Sequence, residues 1–387
     1  MSVLEIKRVR TKGELEQFIQ LHYDLYRDSP YDAPNLHIDE ERTLSPFIKR
    51  QNPAFEFCDT EYYLALREGR VVGRVAAIIN RRYNEQWSRP CVRFGWLDLI
   101  DDEEVLRALL SAVEDFGRRH GMKEVIGPLG FTDMDPEGML TYGFDELGTM
   151  TTIYNYPYYP QLMERMEGYE KDNDYVEFKV YVPKEGMPEK FRRVAELTMK
   201  RYNLHAVKIT KKDVYGPKQY GQRVFSVINQ TFSQLYGYSQ MTEKQIAEYI
   251  DRYFNFVDFE LLCFVEDWNT PDHDLVAVGI TIPSLSRALQ KCRNGRLFPT
   301  GWWHLLRALK FKNTDIVDCL LIGVLPEYRA KGANALLFYD LIPVYQKYGF
   351  KWGESHVEME TNGKVQNQWS YLEHEMHKRR RCYKKAL

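Results

Sequence analysis

The chain has no apolar run approaching the roughly 18 residues that a spanning helix needs. Its amino terminus, MSVLEIKRVRTKGELEQF, has no apolar core of signal-peptide length. Neither a membrane-spanning protein nor export by a standard signal is expected. Cysteine is sparse: Cys58, Cys91, Cys263, Cys292, Cys319 and Cys382 are scattered, with no C-x-x-C pair and no histidine cluster at ligand spacing. That argues against a disulfide framework and against a metal site, and a reducing cytoplasm is the expected compartment. An excess of one charge is missing too. The 53 Lys and Arg nearly balance the 55 Asp and Glu, so nothing global favours nucleic acid or an anionic surface as partner.

What is present is length and periodicity. With 387 residues the chain exceeds one typical core and suggests two domains of about 150 to 200 residues. Residues 3–9 alternate as a strand, and Thr11 caps a helix whose apolar positions Leu15, Phe18, Ile19 and Tyr23 recur at helical spacing. An irregular stretch, 30–53, precedes strands at 61–67 and 71–80 around the turn Glu68-Gly69-Arg70. A strand at 92–99 and a helix ending near Gly121 follow. The segment 127–160, dense in Gly, Pro, acids and Tyr, is long for a plain connection. It reads either as a functional loop or as a surface loop packed by its own aromatics. A strand at 175–182 closes the half.

Pro183 to Pro188 marks the boundary, dividing the chain into 1–183 and 184–387. The element order then restarts with helices at 189–202, 219–236 and 242–253, strands at 205–210, 259–265, 275–282 and 316–324, and a final helix. Divergent tandem copies of one α/β (α+β) fold are the economical explanation.

The segment 318–335, DCLLIGVLPEYRAKGANA, carries the chemistry. It is an apolar strand, a short turn and the entrance of a helix. The first amides of a helix lack internal acceptors and bind anions, glycine permits close approach, and Arg329 and Lys331 add positive charge. Pro326 has no amide hydrogen, so the strand is expected to end or splay near it and to expose main chain to an extended ligand.

Val324-x-Pro326 followed by Arg329-x-x-Gly332 resembles the acyl-CoA-binding motif of the GCN5-related N-acetyltransferase (GNAT) superfamily. The resemblance implies two tandem GNAT-like domains, each a mixed, mostly antiparallel sheet flanked by helices. It further implies acetyl-CoA or a longer acyl-CoA as co-substrate. Ile322, Gly323 and Val324 would pair with the pantetheine, and Arg329, Ala330, Lys331, Gly332, Ala333, Asn334 and Ala335 would hold the pyrophosphate. Asn334 departs from the family's usual Gly or Ala, a position where Asn tolerates positive φ. In the first half the equivalent turn is Ile100-Asp101-Asp102-Glu103-Glu104, whose carboxylates repel a phosphate, so that half is expected to be degenerate.

A second signal lies near the end, where Asn362 is followed by Val365, Trp369 and Leu372. In the superfamily such an Asn begins the helix beside the thiol end of CoA, and a tyrosine seven residues on protonates the departing thiolate. Trp369 stands there and cannot serve as an acid, while Tyr371 points elsewhere on the helix. Glu358 and Glu360 are candidate bases, each expected as a solvated carboxylate, so no catalytic residue is assigned. The Gly-Pro-Leu-Gly-Phe and Tyr-Pro-Tyr-Tyr runs and the terminal basic strand HKRRRCYKK are similar to a bacterial group that includes ceramide synthases, which implies N-acylation of a long-chain, sphingoid-type amine. Trp302 and Trp303, set among basic residues, suit a lipid groove, a peripheral membrane contact or a core helix with a basic rim. The competing expectations are a non-catalytic CoA-binding regulator and an aminoacyl-tRNA-dependent transferase, the latter disfavoured by the neutral charge balance.

Overall fold

A computed structural model of the chain describes residues 3–49 and 51–387, with the side chains of Lys364 and Val365 outside the description. The helical reading of Val365 therefore lies beyond the described side chains, as do Met1 and Ser2 of the amino-terminal reading.

The strands of the first half are β1 (Leu4–Arg8), β2 (Cys58–Arg67), β3 (Arg70–Asn80), β4 (Cys91–Leu99), β5 (Glu124–Gly127), β6 (Met139–Tyr142) and β7 (Glu170–Tyr181). Those of the second half are β8 (Leu204–Val207), β9 (Leu262–Asp267), β10 (Asp274–Pro283), β11 (Ile316–Val324), β12 (Trp352–Ser355), β13 (Glu358–Met359) and β14 (His374–Ala386). They form one sheet in the order β1-β2-β3-β4-β5-β14-β7-β12-β11-β10-β9-β8, with β13 on β7 and β6 on β14. Pairing is antiparallel except at β4–β5 and β11–β12, one parallel pair in each half. The mixed, mostly antiparallel pairing that the resemblance implies is the one observed, in one continuous sheet.

Helices cover both faces because successive strand residues point opposite ways. On β2 and β3, Tyr62, Leu64, Ala76 and Ile78 pack under the helix Lys12–Leu25, whereas Tyr63, Ala65, Val75 and Ala77 pack with the helix Glu103–Arg119. Thr11 accepts from the amide of Glu14, whose carboxylate accepts in return from the Thr11 amide, the reciprocal cap expected of that sequence. In the second half the helix Ala333–Tyr348 buries Ala333, Leu336, Leu337, Leu341 and Tyr345 in a core shared with β9 and β10.

Three segments hold more than the sequence announces. The stretch 30–53 contains a helix, His37–Leu44, which has no side-chain cap to announce it. The stretch 351–359 forms two short strands, because the chain bends at His356 and Val357 and leaves β11 while staying beside β7. The carboxyl-terminal basic run lies in the middle of the sheet, between β5 and β7. Lys378 and Arg380 on it are each 1% exposed. Lys378 reaches Glu354 at 2.5 Å, and Arg380 pairs with Glu177. Buried cations persist only when paired in this way. Among the described residues no helix is long and apolar enough to cross a membrane.

Candidate functional site

β11 and β12 pair only from Ile316–Trp352 to Cys319–Ser355, whereas β11 and β10 stay paired as far as Val324–Ala277. Beyond Cys319 the second edge of β11 faces a gap, because its neighbour leaves it there and continues along β7 alone. That gap is one wall of a cavity of about 360 Å³ between the two halves. Leu320, Leu321 and Ile322 line it from β11, and His356, Val357 and Glu358 from the departing chain.

The strand–turn–helix junction is formed as its residues dictate. β11 ends at Val324, and Pro326 opens the four-residue helix Pro326–Arg329. Gly332 adopts φ 82°, ψ 21°, and the long helix begins at Ala333. A Cβ on Gly332 would lie 2.7 Å from Thr198 Oγ1, whose hydroxyl donates to the Lys331 carbonyl at 2.9 Å. Both the backbone conformation and the space therefore require glycine. The left-handed residue is Gly332 and not Asn334, which sits inside the first helical turn. Arg329 and Ala330 are exposed, and Arg329 Nε donates to the Val324 carbonyl at 3.0 Å, which leaves the rest of the guanidinium outward. Lys331 rests 4.0 Å over the Tyr328 ring. Ala333 and Ala335 are buried against the core, and Gly323 is buried beside the cavity strand. The sequence-derived residues from 322 to 335 thus form one continuous ledge, and Asn362 joins Ile322 on the cavity wall.

Glu358 departs from its expectation. It is 8% exposed instead of solvated. Its Oε1 accepts from the indole N–H of Trp369 at 2.8 Å, and its Oε2 has no partner among the described residues. Burial pushes its carboxyl up to about 7, with the indole hydrogen bond opposing. Trp369, 1% exposed and edge-on to Phe338, is thereby the residue that fixes Glu358. His356, driven down to about 4 by burial, is a neutral neighbour near pH 7. Glu360 is a partly exposed partner of Lys171 and Arg379. Tyr371 is 41% exposed and packs on Phe191, away from Glu358.

Residues of the first half complete the cavity. Asp133, Asp135 and Glu137, from the loop after β5, line it together with Tyr175. Sequence reasoning singled out the loop but not these acids. Their alternation in Asp133-Met-Asp135-Pro-Glu137 was a signal with no partner segment to read it against. The rest of that loop does pack by its own aromatics, with Tyr156, Tyr158 and Tyr159 in series from Tyr26 and Tyr154 edge-on to Tyr156.

The corresponding turn of the first half is already occupied by protein. Asp102 Oδ1 accepts from the amides of Glu104 and Val105, and Arg67 pairs with Asp102 and Glu104 at 2.5 and 2.7 Å. The anion position at that helix entrance is filled by the chain's own carboxylate. Nearby, His22 lies between Asp32 at 3.3 Å and Asp98 at 3.1 Å, and Arg74 closes on Asp98 at 2.6 Å.

Two halves that each place a helix entrance beside a diverging parallel strand pair define the tandem GNAT fold, and this chain has that fold. It resembles a tandem GNAT protein from the clavulanic acid biosynthesis pathway, with a TM-score of 0.55 and 13% identity over 99% of this chain and 98% of that one. It also resembles a GCN5-related N-acetyltransferase from Sphaerobacter thermophilus, at TM-score 0.52 and 12% identity, covering 99% and 95% of the two chains. By sequence it is 25% identical over 386 residues to protein YghO of Escherichia coli (strain K12), covering 99% of this chain and 95% of that protein. It is equally 25% identical over 389 residues to the bacterial ceramide synthase of Caulobacter vibrioides, covering 99% and 98%. No protein-family model matches the chain.

Proposed function

We propose that the chain is an acyl-CoA-dependent N-acyltransferase that acylates a long-chain primary amine. The observation that carries this reading is the gap beside β11 beyond Cys319, on the strand that leads into the Gly332 helix entrance, with a buried carboxyl on the wall of the cavity it opens. In this reading the amides following Gly332, with Arg329 and Lys331, hold the pyrophosphate. The edge from Ile322 to Val324, whose Val324 carbonyl is held by Arg329, pairs with the pantetheine, and Asn362 borders the thiol end. The amine nitrogen attacks the thioester carbonyl, whose developing oxyanion is met by the strand amides. The C–N bond forms as the C–S bond breaks. Glu358 takes the ammonium proton, and the thiolate leaves with a proton returned from that carboxyl or from water.

An apolar cavity lined by Phe225, Phe232, Leu235, Leu262, Ile280 and Ile282 suits an aliphatic chain, and the name of the Caulobacter relative supports a sphingoid-type acceptor. Thermal unfolding tests the co-substrate. At a hundredfold excess over its dissociation constant, acetyl-CoA or a long-chain acyl-CoA should stabilise the protein by about 2.7 kcal/mol. No shift with either would overturn the reading, and a shift without amine acylation would favour a CoA-binding regulator.

Peripheral membrane contact belongs to the same reading. Phe298, Trp302, Trp303 and Phe311 are 79%, 46%, 44% and 68% exposed around the helix Gly301–Phe311. Arg307 and Lys310 lie on that helix. Lys312, at its end, pairs at 2.6 Å with Asp258, next to the cavity residues Phe256 and Val257. Aromatic rings interleaved with cations suit the surface of an anionic bilayer. Co-sedimentation with phosphatidylglycerol-containing vesicles should fall several-fold in a Trp302→Ala/Trp303→Ala variant that unfolds at the wild-type temperature. Equal sedimentation of the two proteins would remove this face from the proposal.

A further inference from the structure

We infer that Glu137, with Asp133 and Asp135, is the subsite that receives the cationic head of the amine. The acceptor would then be gripped by the first half of the chain while the second half holds the thioester. The inference rests on the acyltransferase reading for the identity of the cation and on independent geometry for the site. Glu137 is 5% exposed and lines the inter-half cavity. Its Oε2 accepts from Tyr175 Oη at 2.6 Å, whereas its Oε1 has no partner among the described residues. Asp133 Oδ1, on the same wall, also lacks one. Of the guanidinium groups near the acids, Arg93 donates to the carbonyls of Gly130, Phe131 and Gly237, and Arg252, which lines the same cavity and favours the charged form of Asp135, lies 3.6 Å from Asp39. No Lys or Arg forms an ion pair with the three acids among the described residues.

The acids stand next to the reacting end, where one carboxylate can accept a proton from the bound ammonium and so free the neutral amine that attacks. Tyr175, which holds Glu137, is the strand partner of Met359, the residue after Glu358. Burial raises Glu137 and carries Asp133 up to about 7 and Asp135 up to about 6. Burial favours the neutral form of these carboxyls, and a cation brought among their unpartnered oxygens would favour the charged form instead. A primary ammonium on an aliphatic chain supplies that charge, and the chain fills the remainder. Alcohols and uncharged lipids would leave the acids uncompensated, so the subsite selects for an amine.

Titration calorimetry on the full-length protein with decylamine and decanol, without acyl-CoA, tests the inference. The wild type should bind decylamine at least about tenfold more tightly than decanol. Glu137→Gln should lose that preference while keeping the wild-type thermal shift with acyl-CoA. Asp133→Asn is the second variant should the first fail to fold, and the same loss is expected of it. Decanol binding as tightly as decylamine to the wild type, or undiminished decylamine preference in the folded variants, would overturn the subsite. Amine preference that depends on Glu137 in a protein with no acyl-CoA shift would keep the subsite and discard the transferase reading. Turnover of a long-chain amine unaltered in KM by either substitution would do the reverse.

Discussion

Glu358→Gln is expected to slow acyl transfer by about 10²- to 10⁴-fold, the contribution of a positioned general base, with the acyl-CoA thermal shift unchanged. Two further outcomes separate a base from a merely structural glutamate. First, kcat of the wild type should climb as pH rises through about 7, where the buried carboxyl loses its proton, and the variant should lack that limb. Second, the folded carboxyl titrates above its ordinary value of 4.5, so it costs stability that grows as pH rises from 4.5 and levels off above 7. The rise from 4.5 to about 7 corresponds to on the order of 3 kcal/mol. Gln keeps an acceptor for the Trp369 indole and carries no charge, so the variant should unfold at an equal or higher temperature than the wild type at pH 8. A variant that is less stable at pH 8 and fully active would remove Glu358 from the reaction.

Asp98→Ala is the substitution expected to cost most in stability, about 3 to 5 kcal/mol, out of a total that for a folded protein is typically about 5 to 15 kcal/mol. It would strand Arg74, 4% exposed, and remove one of the two carboxylates that hold His22. Urea unfolding at pH 7 measures the loss. The pH dependence has a sign for each partner. Burial opposes charge on His22, but Asp32 and Asp98 outweigh it and raise the imidazole to about 10. Its contribution is complete below the ordinary value of 6.5 and fades as pH rises through 10. Asp98 itself is raised by burial but lowered more by Arg74 and His22, for a net value well below 3.8. Its contribution is complete above 3.8 and fades as the medium becomes more acid than that. Wild-type stability should therefore fall between pH 7 and 10 more steeply than that of the variant. Parallel curves would show that His22 is not charged by these neighbours.

The strand–turn–helix ledge around Gly332 was legible in the sequence because everything that shapes it is local: an apolar strand, a proline, a glycine forced to positive φ and a helix entrance. The sheet class was legible for a similar reason, since the two runs of elements carry the same periodicities. Glu358 was not. Its raised pKa is set by burial, against which the Trp369 hydrogen bond works, and read alone it is a charged residue at a strand end. The acids of the 133–137 loop were invisible as a group for the same cause, because the wall they face comes from residues over a hundred positions away. The register of β14 was hidden by its composition. A run of arginines suggests a solvated edge unless Glu177 and Glu354 are known to lie opposite.

The placement of β14 has a consequence for how the protein is made. It follows every other strand in chain order, yet it supplies the neighbour of β5 in the half synthesised earlier. Until β14 emerges, that earlier half presents an unfilled groove one strand wide, a ready template for a wrong partner. Loss of β14 would unfasten both halves at once, because it joins β5 to β7.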